Sequence, residues 1–416
     1  MKKLLFITPE LPYPAQSGGK LKSLKLLSAL ATHYDVTLAC PLKMGDSGHL
    51  EDFVKISPCT IHMHNTVNVS RTPRNLAASY IKRVPLNVYR TANNSLKRKI
   101  ESIAHHYDIV FLDHFEVYPY LPKCFGGLTI YHAHNAYFKM WKRYAQLPGN
   151  TLMRAAAWLE SNRVKKYESE VASSTDITFA APNDLQELIG EGVPASKLRN
   201  TYHLGDDSQL ELPDLRFSDS KEKLMYVGFL GWEPNSQGLI WFIKTVWPLI
   251  KRQHPNLTFD IVGKDADPRL CSLVESNDDI SLKGFVYDLQ NIYRESRISV
   301  APLLFGSGMK VKVLDSLSRG MPTVTTSIGA EGIAIEPDQH ILVADEPAAM
   351  AESIHRLLTD QLLWEKLQRN SRALVAQRYT WKKLFTQMHQ DIEEGLQKKN
   401  EKCNGHLCLE SLTNVS

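Results

Sequence analysis

The sequence has no C-x-x-C pair, no apolar run of membrane-spanning length and no complete nucleotide-binding loop. Six cysteines are scattered over 416 residues, with Cys403 and Cys408 in a polar tail. That usage predicts a reducing, cytoplasmic setting and excludes a disulfide scaffold. The richest apolar run, LIWFIKTVWPLI at 239–250, is short and broken by Lys244, which excludes a transmembrane helix. The opening MKKLLFITPELPYP imitates a signal peptide. Its apolar stretch ends at Thr8-Pro9-Glu10, too early for a leader, so it is expected to be a first buried strand. GSGMKV lacks the third glycine of the dinucleotide fingerprint, and SGGK at 17–20 lacks the upstream glycine of a Walker A loop. No Ser/His/Asp order or Cys/His pairing argues for a covalent hydrolase.

What is present is ordinary globular material, 43% hydrophobic and 23% charged, with a net charge of +4. The charge is uneven. Residues 1–205 hold 25 Lys/Arg against 16 Asp/Glu, and the remainder 24 against 29, so a surplus of nine faces a deficit of five. Between Arg71 and Lys99 there are eight basic residues and no acid. The stretch suits an anionic surface such as lipid headgroups, or the solvated face of a basic helix. No nucleic-acid recognition motif accompanies it.

The length predicts two domains. Short apolar runs alternate with helical periodicity twice over: KLLFIT, DVTLAC, YDIVFLD, GLTIYHAH and DITFAA, then KLMYVGFL, LTFDIVG, ISLKGFV, ISVAPLL, PTVTTS and HILVAD. This is the pattern of two α/β domains, each a doubly wound, Rossmann-like parallel sheet, with a cleft expected between them. The polar, turn-rich stretch at 206–222 is read as the linker, giving domains 1–205 and 206–380. Residues 138–175 are read as one or two long helices. The segment 400–416 has no periodicity and is expected to be disordered.

PLLFGSGMKVKVLDSLSRGMP, from residue 302, places Gly306 and Gly308 after a strand and just before a helix of about 310–319, with Gly320 as its stop. Glycine admits an anion to backbone N–H groups, and Lys310 and Lys312 add full charges. Asp315 can accept from a ribose diol. The bland alternative is a surface turn with a Lys312–Asp315 ion pair. Gly18 and Gly19 hold the matching place after the first strand. His132, His134 and Asn135 end another strand, where His134 suits a polar site contact. His-x-His suits a metal too, but no third ligand is evident nearby. Asp265-Ala266-Asp267 could hold a divalent ion, with a solvent loop as the default.

Together these segments resemble the family-4 glycosyltransferases of the GT-B fold. The resemblance rests on Gly18-Gly19, HAHN at 132–135, YVGFLGWEPN at 226–235, IVG at 261–263, GFVYD at 284–288 and APLLFGSGMKVKVLDSLSRGMPTVTTSIGAEG at 301–332. It implies transfer of a hexose from a UDP- or GDP-sugar to a glycan or lipid-linked acceptor in surface-polysaccharide synthesis. Anomeric configuration would be retained, with no metal or other cofactor. Gly18, Gly19, Gly228, Asn235, Gly306, Ser307 and Gly308 would bind the donor, with Asp315 on its ribose. His134 would contact the sugar, and Lys310 and Lys312 would neutralise the diphosphate. A last helix, about 381–399, would cross back onto the N-terminal domain. Ser307 stands where the family carries its first acid, and Asp315 replaces the usual glutamate. Alternatives are a nucleotide-sugar epimerase, a glycogen-type synthase or a non-catalytic binder. Peripheral attachment to the inner membrane face through Arg71–Lys99 is the remaining expectation.

Overall fold

Among the described residues, thirteen short strands, all paired in parallel, form two sheets. The computed structural model describes every residue except 16–17, 43–45, 58, 66–68, 71, 135–136, 147–150, 203, 307 and 414–416. The chain divides into two units, Met1–Tyr202 with Leu384–Ser416, and His203–Lys383.

The first unit is built on β1 (Lys3–Ile7), β2 (Asp35–Leu42), β3 (Thr60–Asn65), β4 (Ile109–Asp113), β5 (Leu128–His132), β6 (Ile177–Ala180) and β7 (Leu198–Asn200). Their order is β3-β2-β1-β4-β5-β6-β7. The central strands are buried along their length, as in β4 and β5, because helices cover both faces of a parallel sheet. The opening apolar run is indeed a buried strand. The stretch read as one or two long helices is a pair, Tyr137–Gln146 and Thr151–Ser174.

The second unit uses β8 (Lys223–Val227), β9 (Thr258–Val262), β10 (Ile280–Gly284), β11 (Ile298–Ala301), β12 (Thr323–Thr325) and β13 (Leu342–Val343), in the order β10-β9-β8-β11-β12-β13. The run at 239–250 is helical. It buries Leu239, Phe242, Val246 and Ile250 in this unit's core.

The last helix, Trp381–Thr413, starts in the second unit, where the Trp381 N–H donates to Asp207. From Leu384 onwards it belongs to the first unit. Met388, Ile392 and Leu396, four residues apart, join that unit's core, which is the spacing of one helix face. Lys399 Nζ meets both carboxylate oxygens of Asp176, at 3.1 and 2.9 Å. The helix continues to Thr413, through most of the segment read from sequence as disordered.

Candidate functional site

In each sheet the strand order reverses beside the unit's first strand: between β1 and β4 in one, and between β8 and β11 in the other. Crevices that hold ligands open at the carboxyl ends of strands at such points. The residues singled out from sequence gather at both.

In the second unit, the loop after β11 leads into the helix Val311–Arg319. Gly306 and Gly308 have φ of +140° and +71°, a region that residues with a Cβ rarely enter. The chain therefore needs glycine there to turn from strand into helix. Gly320 ends that helix in a left-handed conformation, φ +75°, as its position predicts. Lys312 reaches back under the loop after β8. Its Nζ donates to the Tyr226 hydroxyl at 2.8 Å and to Asn235 Oδ1, and it lies over the rings of Tyr226 and Trp232. Burial, with the charge of Lys310 added, lowers its pKa to about 7. Asn235 is itself buried, and its Nδ2 donates to the Phe229 carbonyl at 2.6 Å. It positions the lysine.

Lys310 occupies the N-cap position of this helix, with no side-chain cap bond, and is almost wholly buried. Its Nζ donates to the Gly308 carbonyl at 2.5 Å and lies 3.6 Å from Glu331. Gly228 donates its N–H to Val262 at the end of β9. Asp315 does not pair with Lys312. Its Oδ1 accepts from the Asp206 N–H at 2.7 Å. A Cβ on Gly205 would lie 1.8 Å from that oxygen, so Gly205 makes room for the carboxylate. Burial raises the Asp315 carboxyl to about 7, against the Asp206 hydrogen bond. Ser307 lies outside the described residues. In the D-x-D segment, Asp267 caps the helix Pro268–Glu275 and pairs with Arg269 at 2.7 Å.

In the first unit, a cavity of about 220 Å³ opens beyond β1 and β4, lined by Glu10, Gly19, Lys20, His114, His134 and Tyr137 among others. Gly18 opens the helix Gly18–Leu30 and is exposed, and Gly19 faces the cavity. Behind the wall lies a buried polar cluster. Asp113 and His132 are register partners at the ends of β4 and β5. Asp113 Oδ1 is 2.6 Å from His132 Nδ1 and 2.6 Å from His134 Nε2, and its Oδ2 accepts from Ser23 at 2.5 Å. Burial alone would raise this carboxyl, yet the two histidines hold it well below the usual range. Burial, with help from Lys22, lowers His132 to about 4. Burial also holds His134 well below 6.5, with Asp113 opposing. His114 stacks on His134 at 4.2 Å and 16°, with a backbone φ of +108°.

Asp113 is the third donor that the sequence did not offer beside His132 and His134. Its Oδ1 already takes two imidazole contacts at 2.6 Å, and the charge of Lys22 acts on the same carboxylate. Those short contacts describe hydrogen bonds shared by one oxygen. Sequence reasoning also missed Ser23, His114, Tyr226 and Gly205. The polar end of YDIVFLDH was the available signal for Asp113 and His114.

Residues 221–360 match the family model described as glycosyl transferases group 1. A curated relative from Klebsiella pneumoniae, described as an uncharacterized 44.6 kDa protein in a cps region, is 22% identical over 94% of this chain and 100% of its own length. The crystal structure of Anabaena HepE in complex with UDP and glucose aligns at TM-score 0.64 with 12% identity, covering 95% of this chain and 100% of that one. The sucrose-phosphate synthase of Thermosynechococcus elongatus aligns at TM-score 0.66 with 16% identity, covering 95% and 99%. At these identities the structural likeness shows the fold, the two Rossmann-like domains of the GT-B type.

Proposed function

We propose that the chain, whose residues 221–360 match the family model of the group 1 glycosyl transferases, transfers a hexose from a UDP- or GDP-sugar to a hydroxyl of a glycan or lipid-linked acceptor, with retention and without a metal. The observation that carries this reading is the strand-to-helix turn at Gly306–Lys312. Two glycines in positive φ and two lysines, the buried Lys310 and the half-buried Lys312, gather there, where β8 and β11 part. The UDP and glucose bound by HepE support a nucleotide-sugar donor. The cps region of the Klebsiella relative supports a surface-polysaccharide acceptor.

The demanding step is departure of the nucleoside diphosphate as negative charge grows on it. Lys312, pinned in place by Tyr226 and Asn235, is a cation already oriented for that charge. The free backbone geometry at Gly306 and Gly308 lets phosphate oxygens come close to N–H groups. Electrostatic work done by fixed lysines makes a divalent ion unnecessary. Asp315 serves the ribose, and the histidine-lined cavity of the first unit serves sugar hydroxyls.

The test is thermal unfolding with UDP, GDP, ADP and their glucose conjugates, each with and without EDTA. One nucleotide should raise Tm by an amount that grows with the logarithm of its concentration, and EDTA should leave the shift intact. Lys312→Ala should abolish the shift without lowering the Tm of the free protein by more than a few degrees. No stabilisation by any of them, or stabilisation that vanishes with EDTA, would overturn the reading.

A further inference from the structure

An ammonium held away from water ordinarily has a carboxylate beside it. Among the described residues Lys312 has none. Its Nζ donates to the Tyr226 hydroxyl at 2.8 Å and to Asn235 Oδ1, and it lies 4.9 Å from the centre of the Tyr226 ring and 5.9 Å from that of Trp232. Every one of these partners is neutral. The charges nearby are spent elsewhere. Lys310 acts on Lys312 from the turn and lies 3.6 Å from Glu331. Glu233, next to Trp232, pairs with Arg269 at 3.0 Å. Asp315, on the helix of Lys312, accepts from the Asp206 N–H at 2.7 Å. A positive charge is thus left unmatched, and such a charge attracts an anion more strongly the less water surrounds it.

The two aromatic neighbours differ. Tyr226 is wholly buried and belongs to the core. Trp232 is the outer member, 37% exposed. Its ring lies across the turn, since a Cβ on Gly306 would sit 3.5 Å from the edge of the indole and 3.4 Å from the Lys310 stem. Its backbone is fixed at the start of the helix Glu233–Trp241, where its carbonyl accepts from the Asn235 and Ser236 N–H groups at 2.9 and 3.3 Å. One indole therefore reaches both Gly306 and Lys312.

We propose that Trp232 is a positioning residue, a wall that keeps water from Lys312 and holds its ammonium against Tyr226 and Asn235, where it meets the diphosphate of a nucleotide ligand. Lys312 is the group that touches the anion, and Trp232 acts through it. The identity of the anion rests on the glycosyl-transfer reading, whereas the wall is a property of the free protein.

The first measurement uses the full chain without ligand. Trace acetylation with acetic anhydride over a range of pH, read by peptide mass spectrometry, follows the neutral fraction of the Lys312 amine. Burial and the charge of Lys310 lower its pKa to about 7, so the wild-type midpoint should fall below the ordinary lysine range. Trp232→Ala and Trp232→Gln should each raise the midpoint by about one pH unit or more, because water then reaches the ammonium. Loss of the ring's attraction acts the other way, but at 5.9 Å the ring stands at the limit of cation–π reach. Trp232→Phe, which keeps a ring, should stay near wild type. An ordinary lysine midpoint in wild type, or one that moves in neither ringless variant, would overturn the proposal. A merely structural Trp232 gives that second result, with a lowered Tm. If Trp232→Ala does not fold, the wild-type protein and Trp232→Gln decide.

The second measurement is calorimetry with UDP and GDP at pH 6, below the Lys312 pKa of about 7. Trp232→Ala should weaken whichever nucleotide binds wild type by about tenfold, because water screens the uncovered ammonium, and Trp232→Phe by much less. Equal affinity in wild type and Trp232→Ala would overturn the proposal and leave the donor reading standing. Binding of neither nucleotide by wild type would overturn the donor reading, and the acetylation midpoints would still decide the wall.

Discussion

Lys312 holds its charge at the cost of desolvation, and its surroundings offer neutral partners, the Tyr226 hydroxyl and the Asn235 carbonyl. Burial and the charge of Lys310 lower its pKa to about 7, so it gives up its proton more readily than an ordinary lysine. A bound diphosphate favours the charged form and raises that pKa. The sign follows: binding is strongest below pH 7, takes up a proton above it, and weakens as pH rises further. Calorimetry of the stabilising nucleotide in two buffers of different ionisation heat should show uptake of about one proton at pH 8 and much less at pH 6. No uptake at pH 8 would remove Lys312 from the phosphate. Much at this scale was readable beforehand. Gly306 and Gly308 mark a strand-to-helix turn because glycine enters positive φ through a property that it carries alone. Asp113 was not readable, since its significance lies in two histidines 19 and 21 positions away.

Among the elements, the strands with alternating or continuous apolar residues stood out, and two did not. β3 (TIHMHN) and β7 (LRN) are polar and lie at the two edges of the first sheet. An edge strand covers less core and needs fewer apolar residues, so it leaves a weaker pattern. The helix Trp381–Thr413 was expected over about 381–399 from the family resemblance alone, and its Met388, Ile392 and Leu396 pack into the first unit's core. Leu396→Ala should destabilise that unit by about 2–5 kcal/mol, the usual result of emptying a buried leucine site. Urea unfolding followed by circular dichroism would measure it. A change below about 0.5 kcal/mol would mean that the helix end contributes little to the core. The same docking has a polar fastening. Burial would raise the Asp176 carboxyl, but Thr129 and Lys399 together hold it below the usual range.

For the whole molecule, charge asymmetry is the property with a measurable consequence. The first half carries the basic surplus, and Arg74, Lys82, Arg83 and Arg98 are exposed, with Ile81 82% exposed beside them. Arg71 lies outside the described residues, and Arg90 is spent on the Val69 carbonyl. No described helix is long and apolar enough to cross a membrane. Attachment through this stretch would be electrostatic, with Ile81 as an apolar contact. Vesicles containing phosphatidylglycerol should therefore sediment the protein at low salt and release most of it at 0.5 M NaCl. Lys82→Glu with Arg83→Glu should abolish the effect. Equal binding to neutral vesicles would sink the idea.

The sequence by itself determined that the chain builds two doubly wound sheets and that a glycine turn leads from a strand of the second into a helix. Both follow from local causes: apolar periodicity, and the conformational freedom of glycine before a helix. Only the tertiary structure decided which groups work together. It set Lys312 on Tyr226 and Asn235, gave Asp315 to the Asp206 backbone through the space left at Gly205, and closed Asp113, His132, His134 and Ser23 around one carboxylate. These hydrogen bonds join residues up to 109 positions apart. They arise from the order in which parallel strands enter a sheet, and that order leaves no imprint on a short stretch of residues.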